Sequence, residues 1–173
     1  MIWLVLALLV SESGEERQYR RYSWPTERGL NTRDELFSSR CVVLEATRRG
    51  KPRVVRCLDQ YTGELYEGST RGLDVEHRVA FHSVFFRIPA EHWPNLRQVF
   101  ADAENLMLVG ASLNRSRGNK GPHEWCPPNP EWAPWLAFRS RRFLRKYGIA
   151  ETENERRGYD AWERGECLAG AGQ

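Results

Sequence analysis

Leu73-Asp74-Val75-Glu76-His77-Arg78-Val79 is the stretch whose reading decides the fold. Apolar and polar residues alternate through its first half, the pattern of a half-buried strand, and an acidic residue stands directly before a histidine. Two later runs complete it. Asp102-Ala103-Glu104-Asn105 leads into Leu106-Met107-Leu108-Val109, short and fully apolar, which reads as a buried strand. Residues 111–117 have helix-forming content, and Asn114-Arg115-Ser116-Arg117-Gly118-Asn119 closes the run with amides and arginines. In chain order these segments supply a carboxylate, an imidazole, an amide, a second amide and a guanidinium.

The rest of the chain is compatible with one such unit. At 173 residues it is long enough for one domain with a sizeable core and short for two. Charged residues make up 28% and apolar ones 40%, ordinary for a globular protein, and the net charge of +3 permits a polyanionic partner without requiring one. Residues 1–10 are almost wholly apolar and precede Ser11-Glu12-Ser13, so residues 1–13 read as a signal peptide, although no Lys or Arg precedes the apolar run. Ten residues are too few for a membrane span, which takes roughly 20. The chain is therefore expected to be secreted.

Four cysteines, Cys41, Cys57, Cys126 and Cys167, allow three pairings. Cys41 and Cys57 lie in strand-like runs joined by Arg48-Arg49-Gly50-Lys51, so a hairpin would bring their sulfurs together; this is the preferred pair, and it suits an exported protein. No Cys-x-x-Cys is present, which argues against a four-thiolate zinc site.

Taken in order, residues 15–28 are polar and irregular, and Asn31-Thr32-Arg33-Asp34-Glu35-Leu36 has the capping and acidic residues of a helix start. The hairpin follows, then a short strand over 61–66. Trp93, Leu96, Val99 and Phe100 predict an amphipathic helix over 93–101. Pro127-Pro128-Asn129-Pro130 is a break. Trp132, Leu136, Phe143 and Tyr147 then share one helix face, with Arg141, Arg142 and Arg145 on the other. Residues 151–166 read as a polar terminal helix and residues 168–173 as a disordered tail.

The central constellation suits phosphodiester cleavage. That reaction needs an activated water and neutralisation of charge on the phosphoryl and leaving oxygens. A histidine takes a proton near neutral pH. A carboxylate and an amide oxygen can hold one Mg²⁺, which keeps waters and accepts phosphate oxygens as further ligands, and an arginine offers a forked donor to phosphate. Neighbouring side chains leave an extended strand on opposite faces, but a twist at the strand end would bring Glu76 and His77 into one cleft.

The set Glu76-His77, Asp102-x-x-Asn105-Leu106 and Asn114-x-x-Arg117-x-Asn119 resembles the HNH endonucleases, the ββα-metal or His-Me finger group, and within it the short motifs of endonuclease I. A longer resemblance, to secreted bacterial HNH-family proteins, takes in Tyr61-Thr62-Gly63, Ser112-Leu113-Asn114 and Glu124-Trp125 before Pro127-Pro128, and covers about residues 20–150. The order and spacing of the motifs carry this resemblance, not any one of them. It implies His77 as general base, Glu76 and Asn114 as metal ligands, Asn105 as the residue that orients His77, Arg117 as a phosphate contact, and Asp102 and Asn119 as loop supports. Glu76 stands where many secreted relatives carry Asp, and its extra methylene shifts the metal; Asn31 stands where relatives often carry a cysteine.

Each residue has an ordinary reading too. A lone Glu-His pair is commonly a surface couple, Asn114 a helix or turn cap, Arg117 a solvated side chain. His82, inside an apolar run, reads as a core histidine, and His92 has no evident partner. His123 with Cys126 lacks a second pair for zinc, which leaves His123 and Glu124 at a cleft edge. The arginines around 141–145 are a solvated face or, beside a cleft, a phosphate track.

The expectation is an α+β chain with a ββα-metal core, an N-terminal hairpin and added C-terminal helices: residues 20–150 as the HNH-like domain and 151–173 as helix and tail. It would hydrolyse DNA, and RNA as a further substrate, with a divalent ion, Mg²⁺ foremost, and little sequence specificity. The rival is a non-catalytic module that keeps the core and binds nucleic acid or protein. Nothing in the sequence specifies an oligomer or an inhibitor protein.

Overall fold

The computed structural model describes residues 26–27 and 30–168. The expected signal peptide, the tail beyond Leu168 and, of the stretch 15–28 expected to be irregular, all but Thr26–Glu27, which form a strand, lie outside the described residues. The elements are β1 (Thr26–Glu27), β2 (Leu30–Asn31), α1 (Thr32–Arg40), β3 (Val42–Ala46), β4 (Pro52–Leu58), β5 (Leu65–Ser69), β6 (Leu73–His77), α2 (Phe81–Phe85), α3 (Leu96–Phe100), β7 (Leu106–Gly110), α4 (Ala111–Arg117), α5 (Ala133–Lys146) and α6 (Glu153–Glu163), with 3-10 turns at Thr70–Gly72, Ala90–Asn95 and Pro130–Trp132. The described residues are thus α+β with three small antiparallel sheets, ordered β1-β2, β3-β4-β5 and β6-β7.

β7 explains the layout. Its apolar run is buried throughout because it lies between two cores. Met107 and Val109 join the larger one with Phe81, Phe85, Leu136 and Phe143; Leu108 joins the smaller one with Phe37, Val55, Cys57 and Leu73. The far edge of β7 is covered by a turn, where the Gln60 N–H donates to Leu108 O (2.9 Å), Gln60 Oε1 accepts from Leu108 N–H (3.0 Å) and Asp59 Oδ2 accepts from Gly110 N–H (3.0 Å). Such pairing satisfies backbone groups that are costly to bury alone. The same turn displaces the strand expected over 61–66. Gly63, at φ 73°, closes it on Asp59 O, and a Cβ there would meet the Trp132 ring at 1.8 Å, so pairing resumes only at Leu65.

Two other expected elements are altered by local chemistry. Pro94 leaves residues 90–95 a 3-10 turn, and the helix there begins at Leu96. Residues 151–166 do form a helix, α6, begun by a capping box between Thr152 and Glu155. It is not polar all round: Tyr159 and Trp162 enter the larger core, and Glu155 forks to Arg87 at 2.6 and 2.8 Å. Cys41–Cys57 forms as expected across the start of the β3–β4 hairpin, and Cys126–Cys167 ties the stretch before α5 to the end of α6. These disulfides fit an exported protein, and among the described residues no helix is long and apolar enough to cross a membrane.

Candidate active site

β6 and β7 pair in register from Leu73↔Gly110 to His77↔Leu106, and α4 follows β7 without a gap. Leu73 and Val75 turn to the smaller core, so Asp74 and Glu76 leave the other face of β6. There α4 presents Asn114 and Arg117. Asn114 Nδ2 donates to Asp74 Oδ2 at 3.2 Å and also reaches Glu76. Arg117 Nη1 donates to Glu76 Oε1 at 2.9 Å. Asp74 was absent from the sequence expectation, although its spacing of two residues from Glu76 on an alternating strand already placed both carboxylates on one face.

Arg117 corrects an expectation. It does not stand ready to contact phosphate: it is 4% exposed and its guanidinium is engaged by Tyr61 OH (2.8 Å), Glu76, His77 O (3.0 Å) and Arg78 O (2.9 Å). Gly118, at φ 55°, ends α4 directly after it and lets the chain leave. Burial opposes the charge of Arg117, but Tyr61 and Glu76 more than offset it, so its pKa is raised. Burial pushes the Glu76 carboxyl up to about 6, with Arg117 and Asn114 acting against the shift.

His77 corrects another. β6 stays pleated to its last residue, so the imidazole leaves on the face opposite Glu76 and the two do not share a cleft. It packs against Phe81 (5.7 Å between centroids) and Phe100 (4.6 Å), and Nε2 lies 2.9 Å from Phe100 O. A carbonyl only accepts, so the neutral ring is protonated at Nε2 and carries its lone pair at Nδ1. Burial pulls the His77 pKa down to about 4, with the Phe100 carbonyl acting the other way.

The segment after His77 is held by Asn105, wholly buried. Its Oδ1 accepts from Val79 N–H (2.8 Å), its Nδ2 donates to Val79 O (3.0 Å), and its own carbonyl accepts from Arg78 N–H (2.7 Å). Asp102 holds the loop from the other side, accepting from Lys146 Nζ and Tyr147 OH at 2.6 Å each and from Glu104 N–H at 2.8 Å. Burial opposes the Asp102 charge, yet these donors hold its pKa below the usual carboxylate range. Asn105→Ala should cost about 2–3 kcal/mol in urea unfolding, because it leaves both polar groups of Val79 buried and unpaired. A cost under about 0.5 kcal/mol, the level of an ordinary surface change, would refute this bracing role.

The remaining expected residues lie elsewhere. Asn119 is exposed, with no side-chain hydrogen bond among the described residues, so it supports no loop; with Lys120 and His123 it lines a cavity of about 200 Å³. His123 Nε2 is 3.7 Å from Glu124. Arg141 is no phosphate contact, since Glu151 (3.1 Å), Asp160 (2.5 Å) and Glu163 (2.7 Å) surround it and clamp α5 to α6. Arg142 pairs with Glu104 at 3.1 Å, while Arg145 is exposed. His82, expected in the core, is exposed: Phe81, Val84 and Phe85 take the buried face of α2 and leave it outside.

Among the described residues no three His, Cys, Asp or Glu side chains gather as a metal site. The donors that meet are the oxygens of Asp74 and Glu76 and, after rotation of its amide, Asn114 Oδ1. Two carboxylates and an amide suit a hard cation that keeps waters, as Mg²⁺ does, and do not suit zinc. Compared with protein-family models, curated proteins and solved structures, the chain matches none.

Proposed function

We propose that this chain is a divalent-metal-dependent nuclease of the HNH type, in which β6, β7 and α4 form the ββα unit. The observation that carries the reading is the meeting of Asp74, Glu76 and Asn114, oxygen donors from the first strand and the helix, one residue away from a histidine whose loop is braced by a buried amide. Asp74, Glu76 and Asn114 would hold the cation, and when bound it supplies neutralisation of the phosphoryl and leaving oxygens. Arg117 balances the Glu76 charge and fixes the strand end through His77 O and Arg78 O. His77 takes the water proton at Nδ1 while Phe100 O holds Nε2–H. With its pKa drawn down to about 4 the ring is neutral at pH 7, and it is a weaker proton acceptor than a free imidazole. DNA is the expected substrate, RNA a second, and the substrate must reach His77 across the end of β6.

One observation favours the other reading, a non-catalytic module that binds nucleic acid or protein. Glu76 and His77 leave opposite faces of β6, so the cation and the base need the strand end between them to remodel. Plasmid and RNA cleavage with Mg²⁺ and with EDTA separates the two. Cleavage that EDTA abolishes is the nuclease result; folded protein that leaves both substrates intact with Mg²⁺, Mn²⁺ and Ca²⁺ is the module result.

Glu76 provides a pH signature. With its carboxyl raised from 4.5 to about 6, cation binding near pH 6 must expel a proton from a share of the molecules. Titration calorimetry with Mg²⁺ in two buffers of different ionisation heat should find about half a proton released per ion at pH 6 and close to none at pH 8. Release that does not change between pH 6 and 8 would remove Glu76 from the ligand set.

A further inference from the structure

Three elements send arginines to one four-residue turn. Arg40, at the end of α1, donates Nη1 to Leu106 O and Nη2 to Ala103 O, each at 2.7 Å. Arg78, one residue past His77, donates Nη1 to Glu104 O and lies over the Trp135 ring, 4.8 Å from its centroid. Arg142, on α5, reaches Glu104 Oε1 at 3.1 Å. Arg139, one helical turn before Arg142, is near enough for its charge to bear on both Arg40 and Arg78. Among the described ion pairs of these four guanidiniums there is one carboxylate, Glu104, and it pairs with Arg142. Asp102, beside it, is taken by Lys146.

This arrangement is costly for a protein alone. Like charges in a poorly hydrated setting repel, and buried charged donors without acceptors are among the least favourable groups in a fold. Arg78 is 4% exposed, and its Nε has no hydrogen-bond partner; nor does the buried Nε of Arg139. Glu104 Oε2 is also buried and without a hydrogen-bond partner, so the cluster's one carboxylate does not satisfy the idle Nε–H groups. The cluster grades from buried Arg78 through half-buried Arg139 to exposed Arg40 and Arg142, so the excess charge is open to solution.

We propose that Arg40, Arg78, Arg139 and Arg142 form a phosphate cradle that takes a backbone phosphodiester of the nucleic acid, fixing the strand one residue along the chain from His77. The identity of the ligand rests on the nuclease reading; the cradle itself does not. Planar guanidiniums with directed N–H donors match tetrahedral oxyanions. A bound diester would accept from the exposed guanidiniums of Arg40 and Arg142 and neutralise part of the excess charge that Arg139 and Arg78 add behind them.

The test uses the full chain and the variants Arg139→Gln, Arg139→Lys and, as a control at an exposed α5 arginine outside the cluster, Arg145→Gln. Inorganic phosphate should raise the Tm of the wild type and of Arg145→Gln and have little effect on Arg139→Gln, with Arg139→Lys between them. Without phosphate, Arg139→Gln should be at least as stable as the wild type, because it removes a like charge. For a short DNA duplex bound in Ca²⁺, the slope of log Kd against log salt should fall by about 0.9 in Arg139→Gln and stay unchanged in Arg145→Gln. Equal phosphate stabilisation of wild type and Arg139→Gln overturns the cradle. A phosphate effect without a change of slope assigns it to a free small anion and overturns the proposal as stated. If the cradle results hold and no cleavage occurs, the nuclease reading alone fails; if cleavage occurs and phosphate has no effect, the cradle alone fails.

Discussion

His77→Ala is expected to lower metal-dependent cleavage by about 10²–10⁴-fold, the range for loss of a positioned general base. The imidazole is held on two sides, by the Phe100 carbonyl at Nε2 and by the Phe81 and Phe100 rings, so no neighbouring group can take its place without repacking. A second readout isolates the ring from its packing. The His77 pKa falls from 6.5 in the unfolded chain to about 4 in the folded one, so the unfolded chain binds the proton more readily. Its contribution to stability is complete above pH 6.5 and disappears as pH falls through 4. Glu76 acts in the opposite sense: with a pKa raised from 4.5 to about 6, its contribution is complete below pH 4.5 and disappears as pH rises through 6. Urea unfolding across pH 4–7 should therefore show a steeper loss toward acid in the wild type than in His77→Gln. Unchanged cleavage by a folded His77→Ala protein would take the base away from His77 and leave the binding-module reading in possession.

Arg117→Met should destabilise the fold by about 3–5 kcal/mol, because it strands a buried carboxylate. The guanidinium serves Tyr61, Glu76 and two main-chain carbonyls, so its loss leaves four acceptors short of a donor in the middle of the β6–α4 junction. Adding Glu76→Leu should restore part of the loss, since a pair removed together leaves no lone charge. Denaturant midpoints of the wild type, both single variants and the double variant measure the coupling. A loss below about 1 kcal/mol for Arg117→Met, the level of a surface pair, would contradict the buried hub.

These outcomes bear on what the sequence could disclose. Strand alternation and the unbroken Leu106-Met107-Leu108-Val109 run exposed β6 and β7, since period and burial are written directly in residue type. The β3–β4 hairpin and its Cys41–Cys57 bridge were legible for the same reason. Arg117 and Arg141 were not, because a buried arginine and a solvated one are the same letter; only the acceptors brought by distant segments distinguish them. His82 was misplaced by its apolar neighbours, where the i, i+3, i+4 spacing of Phe81, Val84 and Phe85 held the answer. The opposed directions of Glu76 and His77 follow from the pleat, and a twist at the strand end was the wrong exception to assume. The arginine cradle was invisible for a deeper reason: Arg40, Arg78 and Arg139 lie far apart in the chain and meet only through tertiary packing.

The two disulfides bear on when the molecule exists as a folded body at all. Cys41–Cys57 closes a separation of 16 residues and Cys126–Cys167 one of 41, and neither loop contains the other. On a chain-entropy account the two restrict the unfolded ensemble by about 3 and about 4 kcal/mol. Together that is comparable to the whole margin, about 5–15 kcal/mol, by which a domain of this size is stable. Folding is thus coupled to oxidation: in a thiol-rich compartment the chain forfeits about 7 kcal/mol of that margin, and in an oxidising one it keeps it.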